Sequence, residues 1–461
     1  MISYKRKRFS NVWEAAMFHH YETAKYEQTR HKKVVRPAET PALRLFLDIS
    51  ERDQTVLGYG GAFTEAAALT FSAMSEVNQH KVLHAYFNPM TGLGYTLGRV
   101  AIHSCDFALG HYTYVDEGDT TLDSFSIKRD TRHIIPMIKA AEKVASHPIA
   151  LLASPWSPPA WMKTNRQMAR GGKLLLEYYP LWAQYFLKFI EHYTAAGLTV
   201  FALTVQNEPA AVQVWDSCEY SAEEEKRFVK DHLGPALEAS PYRDVKLLIW
   251  DHNRDLMVER ATAILSDPEA ARFVWGTAFH WYVSEDFSQV GRLHKAFPDK
   301  HLLFTEGCIE GGPKPGVFES GERYARNMIG DFCEGCEGYI DWNLLLDAKG
   351  GPNHVGNYCD APILYDEKTD RLTINYSYDA IRHFSAHALP GAVRIASHLE
   401  HPILRHVAFE NPDGTLVLIV QNESETDEAI RLETPLGAYD VTCVRRSIST
   451  FVLRGDEDDS V

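Results

Sequence analysis

The chain has 461 residues, with 47 Lys+Arg against 62 Asp+Glu, a net charge of −15, and 45% hydrophobic and 24% charged residues. These are the proportions of a soluble globular protein with a sizeable core, and the acidic balance argues against a nucleic-acid partner, which needs a positive face. The apolar run Ile149–Ala153 ends after five residues, and no run approaches the roughly 18 that a membrane span takes.

At the N-terminus, Lys5, Arg6, Lys7 and Arg8 form a basic run like a signal-peptide n-region, but Glu14, His19, His20 and Glu22 break the apolar stretch that would have to follow. No export signal is read, and a cytoplasmic location is expected. The segment 1–54, with Leu43–Asp48 as a strand, has no core of its own and is expected to complete a β domain formed elsewhere. From there, apolar runs alternate with amphipathic ones. The expected strands are Thr55–Phe63, Tyr95–Ile102, Ile149–Ser154, Thr199–Gln206, Val245–Asp251, Val274–His280, His301–Thr305 and Gly338–Asn343, and eight such units predict a closed (β/α)8 barrel over 55–389.

The intervening helices are punctuated. Leu181, Tyr185, Phe189 and Tyr193 recur every fourth residue before a stop at Gly197. Ser221 and Glu224 form a capping box ahead of a helix reaching Leu233, with Phe228 and Val229 as its apolar contacts. Beyond Leu389 the pattern shortens to alternating segments, Ile403–Phe409, Thr415–Gln421, Ala429–Leu432 and Val441–Leu453, with turns at Asn411-Pro-Asp-Gly and Gly437. Residues 390–461 with the N-terminal segment therefore predict an antiparallel β-sandwich, ending in a solvated acidic tail, Asp456–Asp459. The seven cysteines, an odd number, read as reduced buried thiols. Cys333 and Cys336 lack the second pair that a zinc site would require.

A barrel of this kind carries its site at the C-terminal ends of the strands. Those ends here hold Arg99 and Asp106, Trp156, Gln206-Asn207-Glu208-Pro209, Asp251-His252-Asn253, His280-Trp281-Tyr282, Glu306 and Asp341-Trp342-Asn343. Two carboxylates across the mouth, Glu208 and Glu306, suit acid/base cleavage of an acetal, and aromatic faces from Trp156, Trp281, Trp342 and Tyr282 suit the C–H surface of a sugar. No metal cluster or phosphate loop is visible, so neither a metal nor a cofactor is expected.

The segments LGYGGAFTEAAA (57–68), SCDF (104–107), LLASPWSPPAWMKTN (151–165), QNEP (206–209), HWY (280–282), DWNLLLDAKGGPN (341–353) and GNYCDAPI (356–363) resemble glycoside hydrolase family 30, in particular its glucosylceramidase group. The resemblance implies a retaining β-glycosidase of carbohydrate and sphingolipid metabolism, on a TIM barrel with a side β-sandwich built from both chain ends. It implies that Glu208 is the general acid/base, Glu306 of LLFTEG the nucleophile and Asn207 a ligand of the sugar 2-hydroxyl. Asp106, Trp156, Trp342 and Asn357 match positions binding the other hydroxyls. Tyr282 would hydrogen-bond the nucleophile, with His280 in the same wall; Arg99, whose positive charge would keep the nucleophile ionised, and Trp281 are expected to stand behind them.

After NEP the chain reads AAVQVWDSC (210–218), shorter than the corresponding loop of the lipid-hydrolysing members. This departure argues against ceramide as leaving group and for a small or oligosaccharide β-glycoside, with Trp215 and His354 as aglycone contacts. Endo-β-1,6-glucanase, β-xylosidase and β-fucosidase activities remain alternatives within the enzyme class. A carbohydrate-binding protein that has lost catalysis is the alternative outside it, since fold does not establish activity. A metal-dependent hydrolase using Asp251, His252 and His280 is a third.

Overall fold

The computed structural model describes residues 18–399 and 403–455; the basic run at Lys5–Arg8 and the acidic tail at Asp456–Asp459 lie outside the described residues. The chain divides into two units, residues 53–394 and the two chain ends, up to 52 and from 395. In the larger unit, eight parallel strands close into a barrel: Gly58–Ala62, Leu97–Ile102, Ala150–Pro155, Thr199–Thr204, Lys246–Asn253, Gly276–His280, His301–Glu306 and Gly338–Asn343. Each overlaps one of the eight expected runs, and the eighth pairs with the first from Gly338↔Gly58 onward.

The barrel interior is layered, as strand periodicity requires. Leu97, Leu152, Ala202, Leu248, Ala278, Leu303 and Ile340, one from each of seven strands, pack as a single apolar cluster. Two residues further along, on the same face, stand Arg99, Ser154, Thr204, His280, Thr305 and Trp342, all buried. The fifth strand departs from this count. Its pairing with the sixth shifts register between Trp250 and His252, and Trp250 and Asp251 both have positive φ, 73° and 51°. That bulge turns Asp251 inward into the polar layer instead of Trp250. A similar shift in the seventh strand, between Phe304 and Glu306, carries Glu306 to the mouth.

Helix Tyr179–Ala195 buries Tyr185, Phe189 and Tyr193, and Gly197, at φ 78°, makes the left-handed turn that ends it. The capping box is formed by Ser221 and Glu224, but the α-helix it opens covers only Ala222–Phe228. Val229–Leu233 is a single π turn. Pro235, which has no N–H to offer the carbonyl of Asp231, permits the wider turn.

The smaller unit is one nine-stranded sheet. Strands Leu416–Asn422, Arg405–Glu410 and Ser447–Leu453 lie inside it, and Leu43–Thr55 from the N-terminal segment pairs with Glu428–Thr434. That last pairing is parallel, an exception to the antiparallel arrangement expected. Leu45, Leu47, Leu418, Val420, Ile430, Leu432, Val441 and Phe451 share one core, so strands distant in the sheet order pack together. Two further features differ from expectation. Val441–Leu453 is not one strand but parts of two, Gly437–Cys443 and Ser447–Leu453, because Arg446 takes a left-handed φ of 47° that breaks the extended chain. Residues 18–34 also contribute a hairpin, Phe18–Ala24 with Thr29–Val34, whose polar composition hid its strands. No helix among the described residues is long and apolar enough to cross a membrane.

Candidate active site

The polar layer is organised by Arg99. Its side chain is fully buried and donates to Ser154 Oγ at 3.2 Å, Asn207 Oδ1 and Asp251 Oδ2 at 2.8 Å each, and Glu306 Oε2 at 2.5 Å. A buried guanidinium is stable only with its charge and its fork of donors answered, and these acceptors answer them. Its planar group lies 4.8 Å from the Trp156 ring and 5.6 Å from the Trp342 ring. Asp251 is the counterpart anion: it also accepts from Thr204 and Thr305, at 2.6 Å each, and lies 3.0 Å from His280 Nε2. Burial alone would raise its pKa, but the Arg99 charge and the His280 contact hold it below the ordinary carboxylate range.

His280 thereby becomes a buried cation. Burial lowers its pKa, but the charge of Glu306 and the contacts with Asp251 and Glu208 raise it to about 9. Its Nδ1 faces Glu208 Oε1 at 3.5 Å, and His252 Nε2 approaches the same oxygen at 3.9 Å. Glu208 is held in a left-handed turn, φ 49°, a conformation costing a non-glycine residue on the order of 1 kcal/mol. The turn is pinned by Asn207 N–H on Pro155 O at 2.8 Å and Glu208 N–H on Asp251 O at 2.9 Å. This geometry turns the carboxyl group into the mouth.

Opposite, Glu306 accepts from Arg99 through Oε2 and from Tyr282 OH through Oε1 at 2.8 Å. One oxygen of Glu208 and one of Glu306 lie within 4.8 Å of each other and of a His280 nitrogen. At that spacing the pair binds protons jointly. In the free protein, burial and the Glu208 charge push the Glu306 pKa up against His280 and Arg99. At Glu208 the two imidazoles outweigh burial and draw the pKa down.

The walls are aromatic. Trp156 and Trp342 stack at 5.3 Å and 21°, and Phe107 meets Trp342 edge-on at 5.9 Å; Trp215 and Tyr282 pack on the same cluster. Asp106 does not pair with Arg99, whose charge faces Asp251 and Glu306. Instead it accepts from Asn357 Nδ2 at 3.0 Å, and burial with the Glu306 charge raises its pKa to about 8. The shift favours its protonated form, which can donate as well as accept.

The structure thus brings together Arg99, Asp106, Trp156, Asn207, Glu208, His280, Tyr282, Glu306, Trp342 and Asn357, with Trp215 on the rim. Trp281 is not among them. It packs away from the mouth against Phe304 and Tyr324, under Arg323, because neighbouring residues at a strand end point to opposite sides. The metal reading of Asp251, His252 and His280 does not fit either, since the Asp251 oxygens are already engaged by Arg99, Thr204, Thr305 and His280. Sequence reasoning passed over Ser154, Thr204 and Thr305, which the two-residue step from the apolar layer would have found. It also missed Asp251 as the anion of the layer, because a bulge leaves no mark in the hydrophobic pattern.

The cysteines are all free, and every one except Cys333 is buried. Burial raises the Cys333 thiol to about 11, and the Cys336 thiol, also raised, hydrogen-bonds Gly338 O at 3.2 Å. Protonated, buried thiols are poor metal ligands.

Comparison with known proteins agrees with this geometry. The glycosyl hydrolase family 30 TIM-barrel domain matches residues 56–388, and the glycosyl hydrolase family 30 beta sandwich domain matches residues 391–451. Lysosomal acid glucosylceramidase of Mus musculus is 36% identical over 434 residues, covering 89% of this chain and 84% of its own. The crystal structure of SrfJ from Salmonella typhimurium superposes with a TM-score of 0.91 at 39% identity, over 95% of this chain and 100% of that one. The structure of the endo-β-1,6-glucanase BT3312 gives 0.86 at 28%, again over 95% and 100%. The chain is a glycoside hydrolase, and it belongs to glycosyl hydrolase family 30.

Proposed function

We propose that the chain is a retaining β-glycosidase that hydrolyses β-glucosides by double displacement, with Glu306 as nucleophile and Glu208 as general acid and then general base. The observation that carries this reading is the approach of the two carboxyl groups to within 4.8 Å. Retaining enzymes hold theirs about 5–5.5 Å apart, whereas inverting ones leave about 6.5–9.5 Å for a water. The hydrogen bonds favour the division of roles. Arg99 and Tyr282 donate to separate oxygens of Glu306 at 2.5 and 2.8 Å, while the nearest cation to Glu208 stands at 3.5 Å. Short charge-assisted bonds stabilise the ionised form most; on that ground the carboxylate is assigned to Glu306 and the shared proton to Glu208, against burial and the Glu208 charge, which raise Glu306 in the free protein, and against the pull of His280 on Glu208.

In this mechanism Glu306 attacks the anomeric carbon as Glu208 gives its proton to the departing oxygen. Water, deprotonated by Glu208, then releases the sugar from the Glu306 ester. Asn207 is positioned by Arg99 to meet the 2-hydroxyl. Neutral Asp106 and Asn357 suit further hydroxyls of a glucose-like ring lying against the indoles of Trp156 and Trp342.

The likeness to a lysosomal acid glucosylceramidase supports a glucose unit at this position. The short loop after Pro209 favours a small aglycone over ceramide. A second reading, endo-β-1,6-glucanase, draws support from the match to BT3312. Aryl β-glucoside, β-xyloside, β-fucoside and β-galactoside should be assayed beside glucosylceramide and a β-1,6-glucan. Preferential cleavage of the aryl β-glucoside is the expected result; cleavage of the glucan alone would replace the exo reading with the endo one, and no cleavage of any would leave a carbohydrate-binding protein.

The pH dependence follows from the same groups. kcat/KM should be bell-shaped, with an acid limb from Glu306 ionisation and an alkaline limb from loss of the Glu208 proton. His280 lowers the Glu208 pKa, so His280→Gln should move the alkaline limb to higher pH; a limb that stays in place would contradict the pairing. Stability has its own signature. A histidine raised from 6.5 to about 9 contributes stability that is fully present below pH 6.5 and is lost as pH rises through about 9. The melting temperature of the wild type should fall over that interval more than that of the variant.

A further inference from the structure

Apart from the catalytic pair, a second cluster of titratable side chains joins three of the loops at the barrel mouth. Asp216, fully buried, follows Trp215 in the loop after the fourth strand. His111 lies in the loop after the second, and His354 in the loop after the eighth. His111 Nδ1 is 3.0 Å from Asp216 Oδ2, and His354 Nε2 is 3.8 Å from the same oxygen. All three ligand atoms lie within 4.8 Å of one another, and the two imidazoles meet edge-on at 4.9 Å.

Each group is oriented from behind. Ser104 Oγ donates to the other carboxylate oxygen, Asp216 Oδ1, at 2.9 Å. His354 Nδ1 is 3.1 Å from the carbonyl of Ala108, an acceptor only, so that nitrogen carries a proton and, in the neutral ring, the lone pair is on Nε2. That Nε2 is buried with no hydrogen-bond partner among the described residues. A lone pair fixed in place, buried and unanswered is costly in a loop contact that serves packing alone. It is what a metal ligand requires, as is the anchoring of each ligand by an outer hydrogen bond.

We propose that His111 Nδ1, Asp216 Oδ2 and His354 Nε2 bind a divalent transition-metal ion of the zinc class, clipping the second, fourth and eighth loops together at the rim of the cleft. The donor set, two imidazoles and one carboxylate, suits zinc. Ligand atoms on one tetrahedral zinc stand about 3.3 Å apart when its bonds are about 2.0–2.1 Å, and the observed separations of 3.0 and 3.8 Å bracket that value. The side chain of His111 is 43% exposed, which gives the ion a path in and a position for water. Binding replaces the proton that His111 shares with Asp216. The clip would steady the residues beside it, Asp106, Trp215 and Asn357, and does not depend on which glycoside is cleaved.

The test is zinc titration by calorimetry of the full-length protein after chelation. Glu208, His280 and Glu306 at the barrel mouth form the competing cluster, so three proteins are needed: wild type, His111→Ala/His354→Ala and Glu306→Gln. One zinc per chain is expected in wild type and in Glu306→Gln, with affinity at least about 100-fold weaker in the double variant. Cobalt added to the wild type should give the visible absorption of a four-coordinate ion, a readout independent of any substitution. The proposal is overturned if the wild type takes up neither ion at micromolar concentration, or if the double variant binds as tightly as the wild type.

Discussion

Glu306→Gln is expected to lower kcat/KM for an aryl β-glucoside on the order of 10⁴- to 10⁶-fold, the scale on which loss of a catalytic nucleophile acts, while sugar binding and folding persist. The amide has the shape of the carboxylate and can still accept from Arg99, which loses only its charge partner there and keeps Asp251 at 2.8 Å. It cannot form the ester to the anomeric carbon. The comparison that separates the two carboxyl groups is Glu208→Ala assayed with a good and a poor leaving group. An activated aryl glycoside departs without a proton, so the first step should survive in that variant; an alkyl glycoside should be cut far more slowly. Glu306→Gln should lose both substrates alike. Turnover by Glu306→Gln at the wild-type rate would remove Glu306 from the mechanism, and with it the double-displacement reading.

How much of this was legible in the chain itself follows from what periodicity can carry. A barrel strand buried on both faces writes its position as a compact apolar run, so all eight strands could be located, and the strand ends pointed to Glu208 and Glu306 before any coordinates. Two kinds of information were absent. Bulges rotate side chains without altering composition, which concealed that Asp251 rather than Trp250 turns inward. Where a strand runs out, the pattern also leaves open which of two neighbouring residues faces the mouth, so that Trp281 in HWY reads as a platform although it faces Tyr324. The polar hairpin of Phe18–Ala24 and Thr29–Val34 gave no apolar alternation to read, because its stability comes from pairing with Ser447–Leu453, more than 400 residues away in sequence. His111, Asp216 and His354 share the same difficulty: no spacing rule joins residues from three loops. The match of SCDF, QNEP and DWN to a family supplied roles for residues that composition alone left ambiguous.

Arg99→Met should be the most damaging single change in the barrel outside the carboxylate pair, and its consequences can be read by three measurements. The substitution keeps much of the side-chain volume but removes the cation that serves Asp251 and Glu306 together. Breaking a buried ion pair from one side costs about 3–5 kcal/mol, because the partner charge is left in a low-dielectric interior. Protonation of a stranded carboxyl group relieves part of that penalty, and the relief has a direction. Arg99 lowers the pKa of both Asp251 and Glu306, so without it both rise. The variant should therefore lose more stability than the wild type as pH increases above the range where those groups hold their protons. The acid limb of kcat/KM should move to higher pH for the same reason. Asn207 loses its Nη2 donor as well, which should weaken the hold on the sugar and raise KM in addition to lowering kcat. Arg99→Lys separates charge from geometry: an ammonium restores one cation but cannot span Ser154, Asn207, Asp251 and Glu306 as the planar fork does. It should recover part of the stability and little of the activity. A Met variant with wild-type stability and an unmoved acid limb would show that Asp251 and Glu306 do not depend on Arg99, and the account of how the nucleophile stays ionised would have to be rebuilt around His280 and Tyr282.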